Sequence, residues 1–239
     1  MRKLLIIIII AIASLSLVSL DPTATHATTN FGAVVVQTIP GQTLAQQVAD
    51  RAQSSWPWYL VRGAGIVAAI SLTLLMLSGI GSITGHMFKF LEPITAWASH
   101  KALGIIFGIS VLVHMVGLLF DHFVPFDIAT LLVPWLSNYK PISLFGIQLG
   151  SLYIALGVIA FYLIAITILV SLVWIEKKPK LWKVTHLLSY IALLFVFIHA
   201  LYLGTDLADG WPRLLWIATG IGIAILGLYR LWVSRAISK

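Results

Sequence analysis

Six long apolar runs, separated by shorter polar stretches, follow one another along this 239-residue chain. A transmembrane helix needs about 20 apolar residues to cross a hydrocarbon core about 30 Å thick, and the runs are close to that length. The pattern therefore predicts an all-α integral membrane bundle of six helices. The predicted spans cover approximately residues 4–20, 58–80, 98–120, 149–174, 182–203 and 212–233.

The first apolar run fits two interpretations. Arg2 and Lys3 precede Leu4–Leu20, as in a signal peptide, and residues 25–27 resemble the stretch before a cleavage point. The run is longer than the usual signal-peptide core of about 7–15 residues, so an uncleaved helix fits equally well. We expect six helices, or five if the first is a cleaved signal. The predicted organisation is a signal peptide or first transmembrane helix over 1–27, an outer linker over 28–55 and a membrane domain over 56–239.

The composition excludes a soluble fold. Hydrophobic residues make up 60% of the chain and charged residues 10%, with a mean hydropathy of +1.01. A soluble domain could not cover that apolar surface, so much of it faces lipid. The net charge is +7, but the basic residues lie beside the apolar runs, so topology explains them and we expect no nucleic-acid partner. The chain has no cysteine, which excludes disulfides and thiolate-ligated metal centres.

The basic residues predict an orientation. With alternating spans and a cytoplasmic N-terminus, the cytoplasmic side carries eleven of the fifteen, which is a clear positive-inside bias. We expect a multi-pass protein of the cell membrane, with both termini cytoplasmic if the first span is retained. The eleven are Arg2, Lys3, Lys89, Lys101, Lys177, Lys178, Lys180, Lys183, Arg230, Arg235 and Lys239; the outer four are Arg51, Arg62, Lys140 and Arg213.

Residues 125–141 lie between the third and fourth spans and contain a further apolar stretch. The stretch covers 128–136 and is interrupted by Pro134. It is too short to cross a bilayer, so the pattern predicts an interfacial or re-entrant segment.

Four histidines lie inside two of the predicted spans, and they are the candidate functional residues. Ionisable side chains are costly inside a bilayer and normally mark function. His100 and His114, in the third span, are separated by about 21 Å of helical rise and point from nearly one face. His186 and His199, in the fifth span, lie about 140° apart on an ideal helix. A common partner for these two therefore requires a kink or bulge.

The third and fifth spans run in the same direction, which pairs His100 with His186 near the cytoplasmic side and His114 with His199 near the outer side. Each pair offers two imidazole nitrogens at one depth, which suits an iron held between two axial ligands in a haem. Zinc or copper would require three or four ligands clustered at one depth. Glycines that let a porphyrin or a neighbouring helix approach closely follow the third-span histidines at Gly104, Gly108 and Gly117.

The residues around these histidines resemble the ferric reductase-like transmembrane domain. The resemblance covers about residues 56–233, and its signature is His-x13-His with His-x12-His in the third and fifth of six spans. The stretches that carry it are His100-Lys101-Ala102-Leu103-Gly104 with His114, and Trp182-Lys183-Val184-Thr185-His186-Leu187-Leu188-Ser189-Tyr190 with His199. Two shorter stretches are also similar, Trp58-Tyr59-Leu60-Val61-Arg62-Gly63 and Leu203-Gly204-Thr205-Asp206.

That domain is shared by ferric reductases, NADPH oxidases and a bacterial haem subunit of a methionine sulfoxide reductase system. The resemblance implies two haem b groups, the inner one on His100 and His186 and the outer one on His114 and His199. It implies electron transfer from the cytoplasmic side to an outer acceptor. It also implies a distorted fifth helix, because the thirteen-residue step belongs to the family pattern.

No Gly-x-Gly-x-x-Gly loop followed by a soluble α/β pattern occurs in the sequence. We therefore expect no flavin or NAD(P)H site in this chain, and a separate electron donor that is either a flavoprotein or quinol. The chain is then an oxidoreductase component, with ferric iron, oxygen or a partner protein as the acceptor. Arg62 is a candidate partner for a propionate of the outer haem or a lipid-headgroup anchor. The cluster Lys177, Lys178, Lys180 and Lys183 is either a docking site for an acidic donor or a topology signal.

Two alternatives remain open. The chain fits a quinone-linked haem b membrane subunit of a soluble oxidoreductase. It also fits, less well, a transporter that uses intramembrane histidines to relay protons or bind metal. A transporter would show acidic partners at membrane depth or inverted repeats, and neither is found in the sequence.

Overall fold

Five of the six apolar runs form long helices in the computed structural model, which describes residues 44–121, 126–144 and 147–236. The helices long and apolar enough to cross a membrane are Ser55–Ile83, Pro93–Leu118, Leu152–Trp174, Pro179–Leu203 and Gly210–Arg230. The predicted helical membrane bundle is therefore confirmed, with span edges within a few residues of those predicted. The first predicted span, 4–20, lies outside the described residues.

The elements follow one another in a simple order. Within the described residues, seven α-helices and two short strands are joined by turns, two of which, Met87–Lys89 and Thr205–Leu207, are 3-10 helices. The helices are α1 (Leu44–Ile83), α2 (Pro93–Leu118), α3 (Ile128–Leu132), α4 (Leu152–Trp174), α5 (Pro179–His186), α6 (Leu188–Leu203) and α7 (Gly210–Ala236); the strands are β1 (Ile142–Leu144) and β2 (Ile147–Leu149). Helix α1 begins at Leu44, so residues 44–55 of the predicted linker are helical.

Local chemistry explains where several helices begin. Pro93 and Pro179 occupy the first positions of α2 and α5, where a missing backbone N–H costs nothing. Ser151 caps α4 by accepting a hydrogen bond from the Ile154 N–H. Asp127 caps the short helix α3 by accepting a hydrogen bond from the Thr130 N–H at 2.7 Å. That hydrogen bond lowers the pKa of the exposed Asp127 carboxyl from its ordinary value.

The segment between the third and fourth spans contains the largest departure from the sequence prediction. Helix α3 has only five residues, in agreement with a segment too short to cross a bilayer. After it, β1 and β2 form an antiparallel ribbon that pairs Ile142 with Leu149 and Leu144 with Ile147, and this ribbon was not predicted. Each strand has only three residues, which is too short for the alternation of apolar and polar positions to be recognised beside a long apolar run.

Side chains divide each long helix into a packed face and an exposed face. The buried cluster at the centre of the bundle draws on α1, α2, α4, α6 and α7, and includes Leu72, Phe107, Ile164, Leu193 and Ile223. Equally apolar side chains of the same helices are more than half exposed, among them Ile70, Ile109, Leu169 and Ile225. Large exposed aliphatic side chains on membrane-length helices are expected to face lipid.

The five described spans alternate in direction, so the bundle has two ends. The end where α1 and α4 finish and α2 and α5 begin is called the lysine side; it carries Lys89, Lys101, Lys177, Lys178, Lys180 and Lys183. The opposite end is called the aspartate side; it carries Asp121, Asp127, Asp206 and Asp209.

The fifth span is interrupted at Leu187. Helix α5 ends at His186 and α6 begins at Leu188, and around the break Tyr190 N–H donates to the Leu187 carbonyl three residues earlier. The Ser189 hydroxyl donates to the His186 carbonyl at 2.7 Å, which satisfies an acceptor near the break. The distortion predicted between His186 and His199 is therefore present, directly after the first of these histidines.

Candidate functional site

The histidine pair of the lysine side is assembled from α2 and α5. The ring centres of His100 and His186 are 6.2 Å apart, and the ring planes are inclined by 51°. A metal–imidazole bond is about 2 Å long and the ring centre lies about 1 Å beyond the nitrogen, so two imidazoles on opposite sides of one ion have centres about 6 Å apart. The observed separation therefore fits two axial ligands of a single iron.

Ser78 on α1 determines the tautomer of His100. Its hydroxyl donates to the Leu75 carbonyl at 3.0 Å, so its oxygen is left to accept from the His100 Nδ1–H at 2.8 Å. With the proton on Nδ1, the Nε2 of His100 keeps its lone pair. A neutral imidazole oriented in this way is ready to bind a metal.

Backbone carbonyls hold the histidines of the aspartate side. His114 Nδ1 is 2.9 Å from the Val61 carbonyl oxygen on α1, and His199 Nδ1 is 2.8 Å from the Tyr153 carbonyl oxygen on α4. A carbonyl oxygen can only accept, so both imidazoles donate from Nδ1 and keep the Nε2 lone pair. His114 and His199 lie within electrostatic range of each other, which is consistent with the pairing expected from the spacing.

His186 differs from the other three imidazoles. Its Nδ1 is buried and, in the part of the chain that the structure describes, has no hydrogen-bond partner. Its ring lies against the indole of Trp182, with ring centres 5.4 Å apart. The helix is interrupted at Leu187, immediately after this residue. His186 is therefore positioned by packing and helix geometry, without a hydrogen-bond acceptor.

Glycines on the neighbouring helices make room for the imidazoles. Gly65 and Gly79 are fourteen residues apart on α1, the same spacing as His100 and His114 on the antiparallel α2. A Cβ at Gly65 would lie 3.3 Å from His114, and one at Gly79 would lie 3.6 Å from His100. The two matched spacings indicate that α1 packs along the whole length of the histidine face of α2.

Gly157 makes the closest of these approaches. A Cβ at this position of α4 would lie 2.6 Å from Nδ1 of His199, a separation that forces a shift. Among the glycines singled out from the sequence, Gly117 packs against Val61 and Gly108 approaches Ile168, whereas Gly104 has open space. The sequence prediction therefore included two glycines of helix contacts, Gly108 and Gly117, and missed the glycines beside the imidazoles. For Gly65 and Gly79, the available signal was their fourteen-residue spacing on α1.

Arg62 has a carboxylate partner within the protein. Its Nε donates to Oδ2 of Asp206 at 2.7 Å, and a second guanidinium nitrogen contacts Oδ1. The guanidinium also lies 4.7 Å from the ring centre of Trp58. The side chain is 39% exposed, so the ion pair lies at the surface of the aspartate side. The role of Asp206 was missed, although its segment is one of those that resemble the family.

Arg230 on α7 is a second charged residue that sequence reasoning passed over as a topology signal. It donates to the Tyr190 hydroxyl, lies 5.5 Å from the centre of that ring, and acts electrostatically on His186. It therefore places a positive charge beside the histidine pair of the lysine side.

The donor set favours paired ligation. Among the described residues, no group of three or more His, Cys, Asp or Glu side chains could hold a metal ion. Zinc sites need such a group, whereas haem iron needs only two axial ligands because the porphyrin supplies the others. The paired histidines described above therefore fit the two axial ligands that a haem iron needs.

A multi-pass membrane bundle with two histidine pairs at different depths defines a class of protein suited to transmembrane redox chemistry. The chain belongs to the family of ferric reductase-like transmembrane components, which matches residues 64–197, more than half of its length. The match begins beside Gly65 on α1, includes His100, His114 and His186, and ends two residues before His199. No curated protein and no solved structure matches the chain.

Proposed function

We propose that this protein passes electrons across a membrane through two haem b groups. The lysine-side haem is held by His100 and His186, and the aspartate-side haem by His114 and His199. The observation that carries the proposal is the 6.2 Å separation of the His100 and His186 ring centres, which suits opposite axial ligands of one iron. Membership of the family supports the same reading.

Each bound haem would supply an iron that exchanges one electron at a time. The protein's part is to hold the imidazoles so that little rearrangement accompanies that exchange. Ser78 and the carbonyls of Val61 and Tyr153 fix three imidazoles with the proton on Nδ1. Partners of this kind orient metal-ligating histidines and raise their basicity.

The depth of the two pairs supports a transmembrane path. His100 and His114 lie on one uninterrupted helix, α2, and fourteen residues of helix rise about 21 Å. That is about two thirds of a hydrocarbon core about 30 Å thick. Two haems at these depths would divide electron transfer across the membrane into shorter steps.

The direction of transfer follows from the expected topology. The lysine side is taken as cytoplasmic by the positive-inside rule, and the membrane as the cell membrane. Electrons then enter at His100 and His186 from a separate flavoprotein or quinol and leave from His114 and His199. The acceptor is ferric iron, oxygen or a partner protein on the aspartate side.

The test is the haem content of purified protein expressed with ample haem. We expect two haem b per chain, with one lost in His100→Ala or His186→Ala and the other lost in His114→Ala or His199→Ala. His86→Ala is the matched control, because the side chain of this exposed histidine of the lysine side hydrogen-bonds only to Thr84 among the described residues. A colourless wild-type protein, or ligand variants that keep both haems, would refute the proposal.

A further inference from the structure

Trp182 connects the histidine pair of the lysine side to the surface. Its ring centre lies 5.4 Å from that of His186, with the planes inclined by 34°. The indole Nε1–H donates to the Ser171 hydroxyl on α4 at 3.2 Å, which holds the ring against the imidazole. Trp182 itself is only half-buried. An aromatic side chain therefore leads from the candidate iron ligand to the exterior of the protein.

Four lysines surround this position. Lys177 and Lys178 lie in the turn between α4 and α5, and Lys180 and Lys183 lie on α5. All four are exposed, and Glu176 is the one acidic residue between 174 and 186. The set Lys177, Lys178, Lys180 and Lys183 is called the α5 lysine patch.

Helix α5 places the aromatic contact to His186 and the exposed lysines on different faces. Trp182 and Thr185 face α4, where Ser171 binds the indole and Thr167 approaches the Thr185 carbonyl. Lys180 and Lys183 are exposed instead. The positive charge of the lysines is thus concentrated around the outer edge of Trp182, which contacts His186.

We propose that the α5 lysine patch is the docking surface for a soluble, acidic flavoprotein that donates electrons, and that Trp182 couples the docked donor to the histidine pair. This rests on the proposed function. With haem held by His100 and His186, one electron would pass from the reduced flavin of the donor, which is oxidised, to the ferric iron, which is reduced to ferrous. Any proton that the flavin loses on oxidation remains in the aqueous phase. Trp182 provides a conducting contact and is not itself oxidised or reduced.

Charge complementarity selects the partner. A patch of four lysines attracts an acidic protein face and raises the rate of encounter. Anionic lipid headgroups would attract the same lysines, but lipid binding does not require an indole in contact with the buried histidine. The Trp182–His186 contact therefore favours a redox partner over a lipid anchor.

The probe is reduced flavodoxin, a small acidic flavoprotein, mixed with the haem-loaded protein in phosphatidylcholine nanodiscs. We expect haem reduction that slows as salt is added. Lys180→Glu/Lys183→Glu should lower the second-order rate constant and weaken binding of oxidised flavodoxin, each by about tenfold. Lys89→Glu, a charge reversal elsewhere on the same side, should change either quantity by less than about twofold. Trp182→Leu should leave binding unchanged but slow reduction within the complex, and Trp182→Phe should retain most of the rate.

Several outcomes would overturn the docking proposal. They are no binding of flavodoxin to the wild type, equal effects of the double variant and Lys89→Glu, or unchanged reduction in Trp182→Leu. An effect of the double variant that is confined to nanodiscs containing phosphatidylglycerol would assign the patch to lipid. In each case, reduction of two haems by dithionite would leave the proposed function standing. Failure of dithionite to reveal any haem would instead refute the proposed function.

Discussion

Ser78 on α1 accepts a hydrogen bond from the imidazole of His100 on α2, at 2.8 Å, while its own proton is donated to Leu75. The same helix, about five turns away, accepts from His114 through the Val61 carbonyl. Helix α1 carries none of the four paired histidines, yet it hydrogen-bonds both imidazoles of α2. This arrangement makes α1 the first place to test the site without removing a ligand.

Ser78→Ala should raise the reduction potential of the lysine-side haem and lower its affinity. Loss of the acceptor leaves the His100 Nδ1–H unpaired, at a cost of about 1–3 kcal/mol, and makes the imidazole less basic, which disfavours ferric iron. Losing such a partner typically weakens metal binding about 10–100-fold. Spectroelectrochemical titration and haem-transfer rates would measure both effects.

Ser78→Thr keeps a hydroxyl and should restore the wild-type potential. Ser71→Ala, which removes another buried hydroxyl of α1, is the control and should leave both potentials unchanged. An identical potential in Ser78→Ala and wild type would show that the hydrogen bond does not tune the site.

Gly157→Ala should eject the aspartate-side haem while sparing the other. The new Cβ would lie 2.6 Å from His199 Nδ1, so the imidazole has to move and loses its hydrogen bond to the Tyr153 carbonyl. The haem content is expected to fall from two to one per chain. Gly222→Ala, at a position with nothing within 4 Å, should keep both; equal haem content in the two variants would contradict the prediction.

Arg62→Ala and Asp206→Asn should shift the potential of the aspartate-side haem in opposite directions. A positive charge near a haem stabilises the reduced state, so loss of Arg62 lowers the potential and loss of its neutralising partner raises it. The effect on stability should be small, about 0–1 kcal/mol, because the pair is partly exposed and screened by solvent. Redox titration and thermal unfolding of both variants would check this.

Shifts of the same sign in both variants would mean that the ion pair acts only by holding α1 against the turn after α6. Unchanged potentials would remove Arg62 from the haem environment altogether, and with it the expected contact to a propionate.

The cap of α3 should weaken in acid. Hydrogen bonds from Thr130 lower the pKa of Asp127, so the carboxylate stabilises α3 at any pH above its unfolded value of about 4. That stabilisation is lost as the pH falls through the lower, folded pKa. Asp127→Asn, which caps without titrating, should protect the Thr130 amide from hydrogen exchange better than the wild type at low pH but not at neutral pH. If the Thr130 amide were equally protected in Asp127→Asn and in the wild type at both low and neutral pH, the Asp127 carboxylate would not be the titrating cap.

Hydropathy was sufficient to predict the five described spans, and histidine spacing predicted a distortion between His186 and His199. The pairing of the four imidazoles around haem stays a prediction. Apolar runs and histidine spacing are properties of one helix at a time, so they can be read directly from the sequence. Ser78, Gly157 and Arg230 were not predicted as parts of the site, because their roles depend on how one helix is rotated against another. A serine or glycine in an apolar run carries no local sign of the imidazole that it faces in a neighbouring helix.

The β1–β2 ribbon escaped prediction for a different reason. It lies between α3 and α4, where the short strands adjoin the apolar run of the fourth span and share its composition. Its pairing depends on contacts between strands that a hydropathy pattern does not record.

The interruption at Leu187 places the two candidate ligands of the fifth span on different helical segments. His186 is the last residue of α5, whereas His199 lies within α6. By contrast, His100 and His114 share the continuous α2. A shift of α5 relative to α6 would therefore move His186 more than the other three candidate ligands.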